Sequence, residues 1–302
     1  MESNDGTWAA VGWFHKEYYG FPSSHLYAWA ARLDKDGNML SSTAFGAGPT
    51  IGLGVTQAGG SGFFAVGYTS NASAGGNDGY VARLDSGGNA QWQVKIGGKG
   101  EDIAHAAFAA PDGGVFVAGR TASMGAGNDD AWLARLDQNG KLLWQQTYGG
   151  AANEVFTDVV VVPGGTLVLA GHTWSEGAGG ADVLIVGATA TGQKQWQRIY
   201  GDHEDDAVLA MVRLKSGGFA LGGYGTPPKA GAQDFRLLVT DAFGHASCAK
   251  SGACFGLTAP DCDDNNPCTL DGCEAEASCA HKAAPDGGVC GTGKVCGAGV
   301  CK

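Results

Sequence analysis

Residues 123–144 read SMGAGNDDAWLARLDQNGKLLW, and their spacing decides the fold. A glycine-rich polar stretch ends at Asp130. An apolar run, AWLARL, follows it. Asp137 and Gly140 then bracket a tight turn, and Trp144 closes the segment. Runs of five to eight apolar or β-favouring residues between Gly, Asn and Asp clusters read as short strands. Within the turn, the Asp side chain can bond a backbone amide, and Gly supplies a positive φ.

The same segment recurs along the chain at a constant step. Gly67, Gly119, Gly171 and Gly223 end the strands FAVG, FVAG, VLAG and ALGG at intervals of 52. Asp78, Asp130, Asp182 and Asp234 open the next strand with the same step, and Trp92, Trp144 and Trp196 lie in the strand after that. The turn pair repeats as Asp34 and Gly37, Asp85 and Gly88, Asp137 and Gly140, Thr189 and Gly192, and Asp241 and Gly244. An earlier unit is visible in TWAAVGWFHK and YAWAARLD, its first loop lengthened, so five units are expected, the first without an initial strand. One unit resolves into four strands, as in AHAAFAA, VFVAGRT, AWLARLD and LLWQQTY. The second of these is apolar without alternation, as a strand buried on both faces must be. The expected fold is therefore all-β, a meander of four-stranded units.

These repeats, with their SxGxGxxDxWLxRLDxxGxxxW pattern, resemble the bacterial β-propeller repeats of secreted and surface proteins over roughly residues 7–247. The resemblance implies a β-propeller of four-stranded blades, about five of them, with the N-terminal side open to truncation, and it implies a scaffold and not an activity. The segment LDQNGKLLW is also similar to the tryptophan-docking repeat of quinoprotein propellers, but no calcium site or catalytic carboxylate of such dehydrogenases is recognisable.

All nine cysteines, Cys248, Cys254, Cys262, Cys268, Cys273, Cys279, Cys290, Cys296 and Cys301, lie after residue 247. That divides the chain into a repeat region, 1–247, and a cysteine-rich module, 248–302. With few bulky apolar residues, the module is expected to be held by disulfides, which points to an extracellular or cell-surface setting. One thiol of an odd number is left to remain free or to pair elsewhere. The run from Asp261, DCDDNNPCTLDGC, resembles the cysteine-rich repeats of slime-mould extracellular proteins that also occur in secreted bacterial proteins. Asp261, Asp263 and Asn265, with Asp271 beyond, place oxygens at alternate positions as a calcium loop does, although no closing Glu follows. The alternative reading is a solvated turn. Zinc is disfavoured because the intervening spacings from Cys262 to Cys290, five, four, five and ten residues, do not form the repeated close pairs of a zinc site. No signal peptide is visible at the N-terminus.

The net charge of −11 and the absence of any basic cluster exclude a phosphate-binding surface, hence nucleic acid as a partner. No apolar run is long enough for a membrane-spanning helix. Two segments break the repeat and are expected to carry any ligand. One is the lengthened first loop, with Tyr18, Tyr19, Phe21 and His25, an aromatic set suited to a sugar or a protein. The other is the acidic run Asp202, His203, Glu204, Asp205 and Asp206, suited to a cation or a basic partner. Glu101, Asp102 and Glu154 occupy the corresponding inter-unit loops and extend the acidity. No nucleophile–base arrangement is signposted. The expected function is a secreted or surface binding scaffold for an extracellular protein or glycan, without a cofactor unless calcium. A propeller glycosidase or a quinoprotein-like dehydrogenase is the alternative.

Overall fold

A computed structural model describes residues 6–16, 25–46, 48–59, 62–70, 75–226 and 233–246, and from the cysteine-rich region 269–274, 278–283, 289–291, 294–297 and 300–301. The described residues form strands and turns, without a helix. Five antiparallel meanders follow one another along the chain. Sheet I holds β1 (Trp8–Lys16), β2 (His25–Leu33) and β3 (Met39–Phe45). Sheet II holds β4 (Thr50–Gln57), β5 (Phe63–Thr69), β6 (Asp78–Leu84) and β7 (Ala90–Ile96). Sheet III is β8 (Asp102–Ala109), β9 (Val115–Thr121), β10 (Asp130–Leu136) and β11 (Leu142–Tyr148). Sheet IV is β12 (Glu154–Val161), β13 (Leu167–Thr173), β14 (Asp182–Ala188) and β15 (Lys194–Tyr200). Sheet V is β16 (Asp206–Arg213), β17 (Phe219–Gly225) and β18 (Asp234–Thr240), followed by a turn and a single bridge from Thr240 to Ala246.

The expected repeat units are thus present; among the described residues the first and the fifth show three strands each, the first without an initial strand. Each sheet packs on the next in chain order, the first strand of the follower lying across its predecessor, as β8 does on β4, β5 and β6. Each sheet consequently has a forward face, towards its successor, and a backward face. The second strands β5, β9 and β13 are buried along nearly their whole length, which accounts for their unbroken apolar sequence. Between sheets II and III the core joins Phe64 and Val81 to Val117 and Trp132; between III and IV it joins Leu133 to Phe156, Leu169 and Leu184. Each such side chain stabilises the fold by about 1.5–3 kcal/mol relative to leaving it in water.

Each second strand runs two residues beyond the ladder glycine that the sequence suggests as its end, and the glycine is required instead by a close approach. A Cβ at Gly67, Gly119, Gly171 or Gly223 would collide with the carbonyl oxygen of Ile51, Ile103, Val155 or Ala207 on the adjacent first strand. Just beyond the contact, each first strand carries a bulge: the register skips Leu53, His105, Thr157 and Leu209. A bulge leaves one residue outside the ladder and turns its side chain away from the regular alternation.

The tight turns behave as the sequence implies. Asp85 Oδ1 accepts from the amides of Gly87 and Asn89, both at 2.8 Å, and Asp137 and Asp241 do the same in their own turns. Gly37, Gly88, Gly140, Gly192 and Gly244 all have φ between 79° and 87°. Trp92, Trp144 and Trp196 are only half-buried, and each ring lies against the turn glycine of the next unit, Gly140, Gly192 and Gly244 respectively. Trp92 Nε1 donates to Gln138 O at 2.9 Å, and the hydroxyls of Tyr148 and Tyr200 donate to Gly192 O and Gly244 O at 2.6 and 2.5 Å. These rings and hydroxyls latch one turn to the next.

In the cysteine-rich region, β19 (Thr269–Glu274) pairs with β20 (Ser278–Ala283), which sets Cys273 opposite Cys279 and places Asp271 opposite His281. The strands β21 (Val289–Gly291), β22 (Lys294–Gly297) and β23 (Val300–Cys301) form a second small sheet, with Cys296 opposite Cys301. Cys290 belongs to β21. Cys248, Cys254, Cys262, Cys268, Asp261, Asp263 and Asn265 lie outside the described residues.

Candidate functional site

The sheets have two ends. One carries the tight turns; the other carries the glycine-rich loops between second and third strands and the connections from each sheet to the next. The acidic residues expected to line the loop-bearing end divide into two groups. Asp102, Glu154 and Asp206 are not loop residues: each is the first residue of a first strand and is buried. Asp102 accepts from Gly98 N and Ser123 Oγ, both at 2.7 Å, and from Thr121 Oγ1. Glu154 accepts from Gly150 N at 2.8 Å and Thr173 Oγ1 at 2.9 Å. Asp206 accepts from Asp202 N at 3.0 Å and pairs with Arg236 at 2.7 Å. Buried carboxylates persist where donors of this kind compensate their lost hydration.

The aspartates that open the third strands have a matching role. Asp130 accepts from the amides of Ala126 and Gly127, at 3.2 and 3.0 Å, and Asp182 accepts from Ala178 N at 3.0 Å. The glycine-rich loop is wound around its own carboxylate, and a Cβ at Gly125 or Gly177, both at positive φ, would strike it. Asp182 differs from Asp130 in one respect. Its Oδ1 is buried without a hydrogen-bond partner. Burial, reinforced by the negative charges of Asp206, Asp202 and Asp205, pushes its carboxyl up to about 6.

The second group remains accessible. Glu204 is exposed, Asp205 accepts from Ala181 N at 2.8 Å, Asp202 pairs with Arg236 at 3.2 Å, and His203 directs Nδ1 at Ala178 O. The run from Asp202 to Asp206 is thus partly a structural hinge between sheets IV and V and only partly a charged surface. Among the described residues, no group of three or more His, Cys, Asp and Glu side chains is arranged to hold a metal ion. Tyr18, Tyr19 and Phe21 lie outside the described residues. His25 is not a loop residue: it opens β2, opposite Lys16, because β1 and β2 extend further into the first loop than the sequence suggests.

The repeat is most strongly broken one step away, on the second strands and the loops that follow them. At the position of Tyr68 and Tyr224, sheet III has Arg120 and sheet IV has His172. Arg120 bridges Asp129 and Glu101 at 2.6 and 2.7 Å, and Asn77 donates to the other oxygen of Glu101 at 2.9 Å. The guanidinium hydrogen bonds hold the Glu101 carboxyl below its usual range. His172 is pressed down by burial, with Asp205 opposing, and the bulged His105 is driven to about 4 by burial together with Arg120 and His172. Both imidazoles are neutral at physiological pH, and His105 Nε2 and His172 Nδ1 are buried without a partner. Two residues on, where other units have Ser70, Ala122 and Thr226, stands Trp174. Its ring meets His172 edge-on at 4.9 Å and is 43% exposed, with Glu176 two positions further along the same loop. A Trp alone among Ser, Ala and Thr at one repeat position is a signal available from sequence alignment of the units.

No family model matches the chain. A stretch of 96 residues is 36% identical to the regulatory protein FlaEY of Caulobacter vibrioides, covering 28% of this chain and 10% of that protein, so the matched part spans about a tenth of the relative. Among solved structures, an endo-arabinase from Bacteroides thetaiotaomicron is similar with a TM-score of 0.38 and 12% identity, over 78% of this chain and 90% of that one.

Proposed function

We propose that this chain is a non-catalytic binding scaffold of the secreted or cell-surface type, its meanders serving as the blades of a β-propeller, and that it recognises a glycan at the loop-bearing end around Trp174. The observation that carries this reading is the exposed Trp174 ring, braced edge-on by His172 where the other units have small side chains. An aromatic face offers a pyranose ring an apolar platform, and neighbouring polar groups fix its orientation. Arg120, Glu101, Asp129 and Glu176 supply such groups nearby in the loop-bearing strip. The repeated carboxylates Asp102, Asp130, Glu154 and Asp206 are buried and engaged by amides, hydroxyls or Arg236, so they serve the fold and not a ligand. The extracellular setting rests on the cysteine distribution.

An oligosaccharide array probed with the whole chain tests the reading. Binding is expected to a defined subset of glycans and to be lost in Trp174→Ala, while Trp13→Ala, at a comparably exposed ring on sheet I, retains it. An array without signal, or binding indifferent to Trp174, removes the glycan. Reducing ends released from a bound glycan would remove the non-catalytic half of the proposal.

A further inference from the structure

The forward face of sheet V is built like the faces that fill the core, yet it lies open. Leu237 is 60% exposed, whereas its counterparts Val81, Leu133 and Ile185 are completely buried by the following sheet. Phe235, 78% exposed, corresponds to Val183, at 8%. Leu209 and Val212, both 59% exposed, extend the patch along β16. Their counterparts in sheet IV face forward as well: Thr157 Oγ1 donates to Val208 O of sheet V at 2.9 Å, and Val160 packs against the sheet IV–V core. The next residue, Asp158, accepts from Met211 N at 2.7 Å; its counterpart Ala210 is an exposed methyl. Sheet V thus has Leu209 and Ala210 where sheet IV has the bridging Thr157 and Asp158, an apolar choice that Leu53 of sheet II and Ala106 of sheet III also show, and at sheet V no described sheet covers them.

The opposite end of the stack mirrors it. Trp8 of sheet I occupies the backward-facing position of Phe63, Val115, Leu167 and Phe219, which are 0–6% exposed, but is itself 40% exposed. Trp29 and Leu33, on the same backward face, are half-buried, where Leu84 and Leu136 are buried. All four sheet-to-sheet interfaces among the described residues join a forward face to a backward face.

We propose that the forward face of sheet V docks onto the backward face of sheet I of a second copy of this chain, extending the same interface between molecules. The occupant follows from the four internal interfaces: the surface that complements a forward face in this repeat is a backward face, and sheet I presents one. Such a contact is heterologous. It leaves a free face at each end of a dimer, so association continues into a ring or a filament. Apolar patches of this kind are rare on monomers unless they serve an interaction.

Sedimentation velocity on the whole chain, wild type and two variants, tests the proposal. Wild type should show concentration-dependent species beyond the monomer. Leu237→Asp and Trp8→Asp should each sediment as monomers alone, because each retains one competent face. Their equimolar mixture should restore a dimer and nothing larger. A wild type that stays monomeric at its highest soluble concentration overturns the proposal, as it would if residues 247–302 or its own sheet I covered the patch. Association that survives in Trp8→Asp also overturns it, since that would be a symmetric contact of two sheet V faces. Circular dichroism establishes that each variant is folded, and Phe235→Lys with Trp8→Gln puts the same question should either aspartate fail.

Discussion

The turn end and the loop-bearing end of the stacked sheets come from one repeated sequence, yet they use it differently. At the turn end the contacts recur with few changes of side chain: Asp85, Asp137 and Asp241 cap their turns alike, Thr189 does so with its hydroxyl, and Trp92, Trp144 and Trp196 each rest on the following glycine. At the loop-bearing end the carboxylates repeat, while what surrounds them changes from Arg120 to His172 and from Ala122 to Trp174. The difference shows how a repeat array separates stability from recognition. Contacts that join one unit to the next must match at every junction, so they tolerate little variation. Residues above the buried carboxylates touch loops that are already organised, and they can differ.

The largest effect should come from a position that serves both ends. Gly119→Val places a branched side chain against the carbonyl of Ile103, in a contact that already excludes a Cβ. A loss of about 4 kcal/mol or more is expected, and thermal melting or failure to recover folded protein would register it. If the variant melts near wild type, the explanation of the glycine ladder is wrong. Next comes the turn end alone. Trp144→Ala removes a half-buried ring from Gly192 and should cost about 2–3 kcal/mol in chemical denaturation, leaving glycan binding unchanged; a binding defect would dissolve the separation of the two ends.

Asp182 probes the loop-bearing end through pH. Its carboxyl is raised from 3.8 to about 6, so in that interval the folded chain holds a proton that the unfolded chain has released. Stability therefore falls as pH rises through the interval and levels off above it. Asp182→Asn retains an acceptor for the amide of Ala178 and removes the charge. The variant should match wild type below pH 4 and exceed it by roughly 1–2 kcal/mol at pH 7.5, a gain that solvent around the neighbouring loops keeps below the full electrostatic cost of the buried charge. A variant less stable than wild type at neutral pH would mean that the charge is used, as a bound cation would use it. The smallest stability change belongs to Trp174→Ala, expected within about 0.5 kcal/mol because the ring is largely on the surface. Its effect should appear in binding alone.

Much of this architecture is legible in the sequence because it is local. The 52-residue step, the Asp and Gly of each turn, and the unbroken apolar second strands reflect backbone and burial preferences that operate within a few residues. Other features depend on residues that are distant in the chain. Asp206 reads as one acid in a charged run, and only its encounter with Arg236, thirty positions on, makes it a buried structural group. Trp174 and His172 are only two residues apart, so their contact is local, and what the fold adds is the exposure of the ring at the loop-bearing end. His25 reads as part of a loop, because nothing local reveals how far β1 and β2 continue to pair.

The glycine ladder marks the boundary between the two kinds of information. Its period is a property of the sequence alone, and it establishes repeated all-β units without reference to any contact in space. Its cause is tertiary: a bulged first strand brings a carbonyl oxygen onto the second strand and leaves no room for a side chain. Likewise, composition announces an acidic chain, but only packing decides which acids are buried braces and which face solvent. It also decides that Leu237, apolar like its counterparts, has no described sheet above it. Periodicity reports what each unit must repeat, whereas exposure depends on which neighbour arrives, and that is determined by contacts a linear sequence does not contain.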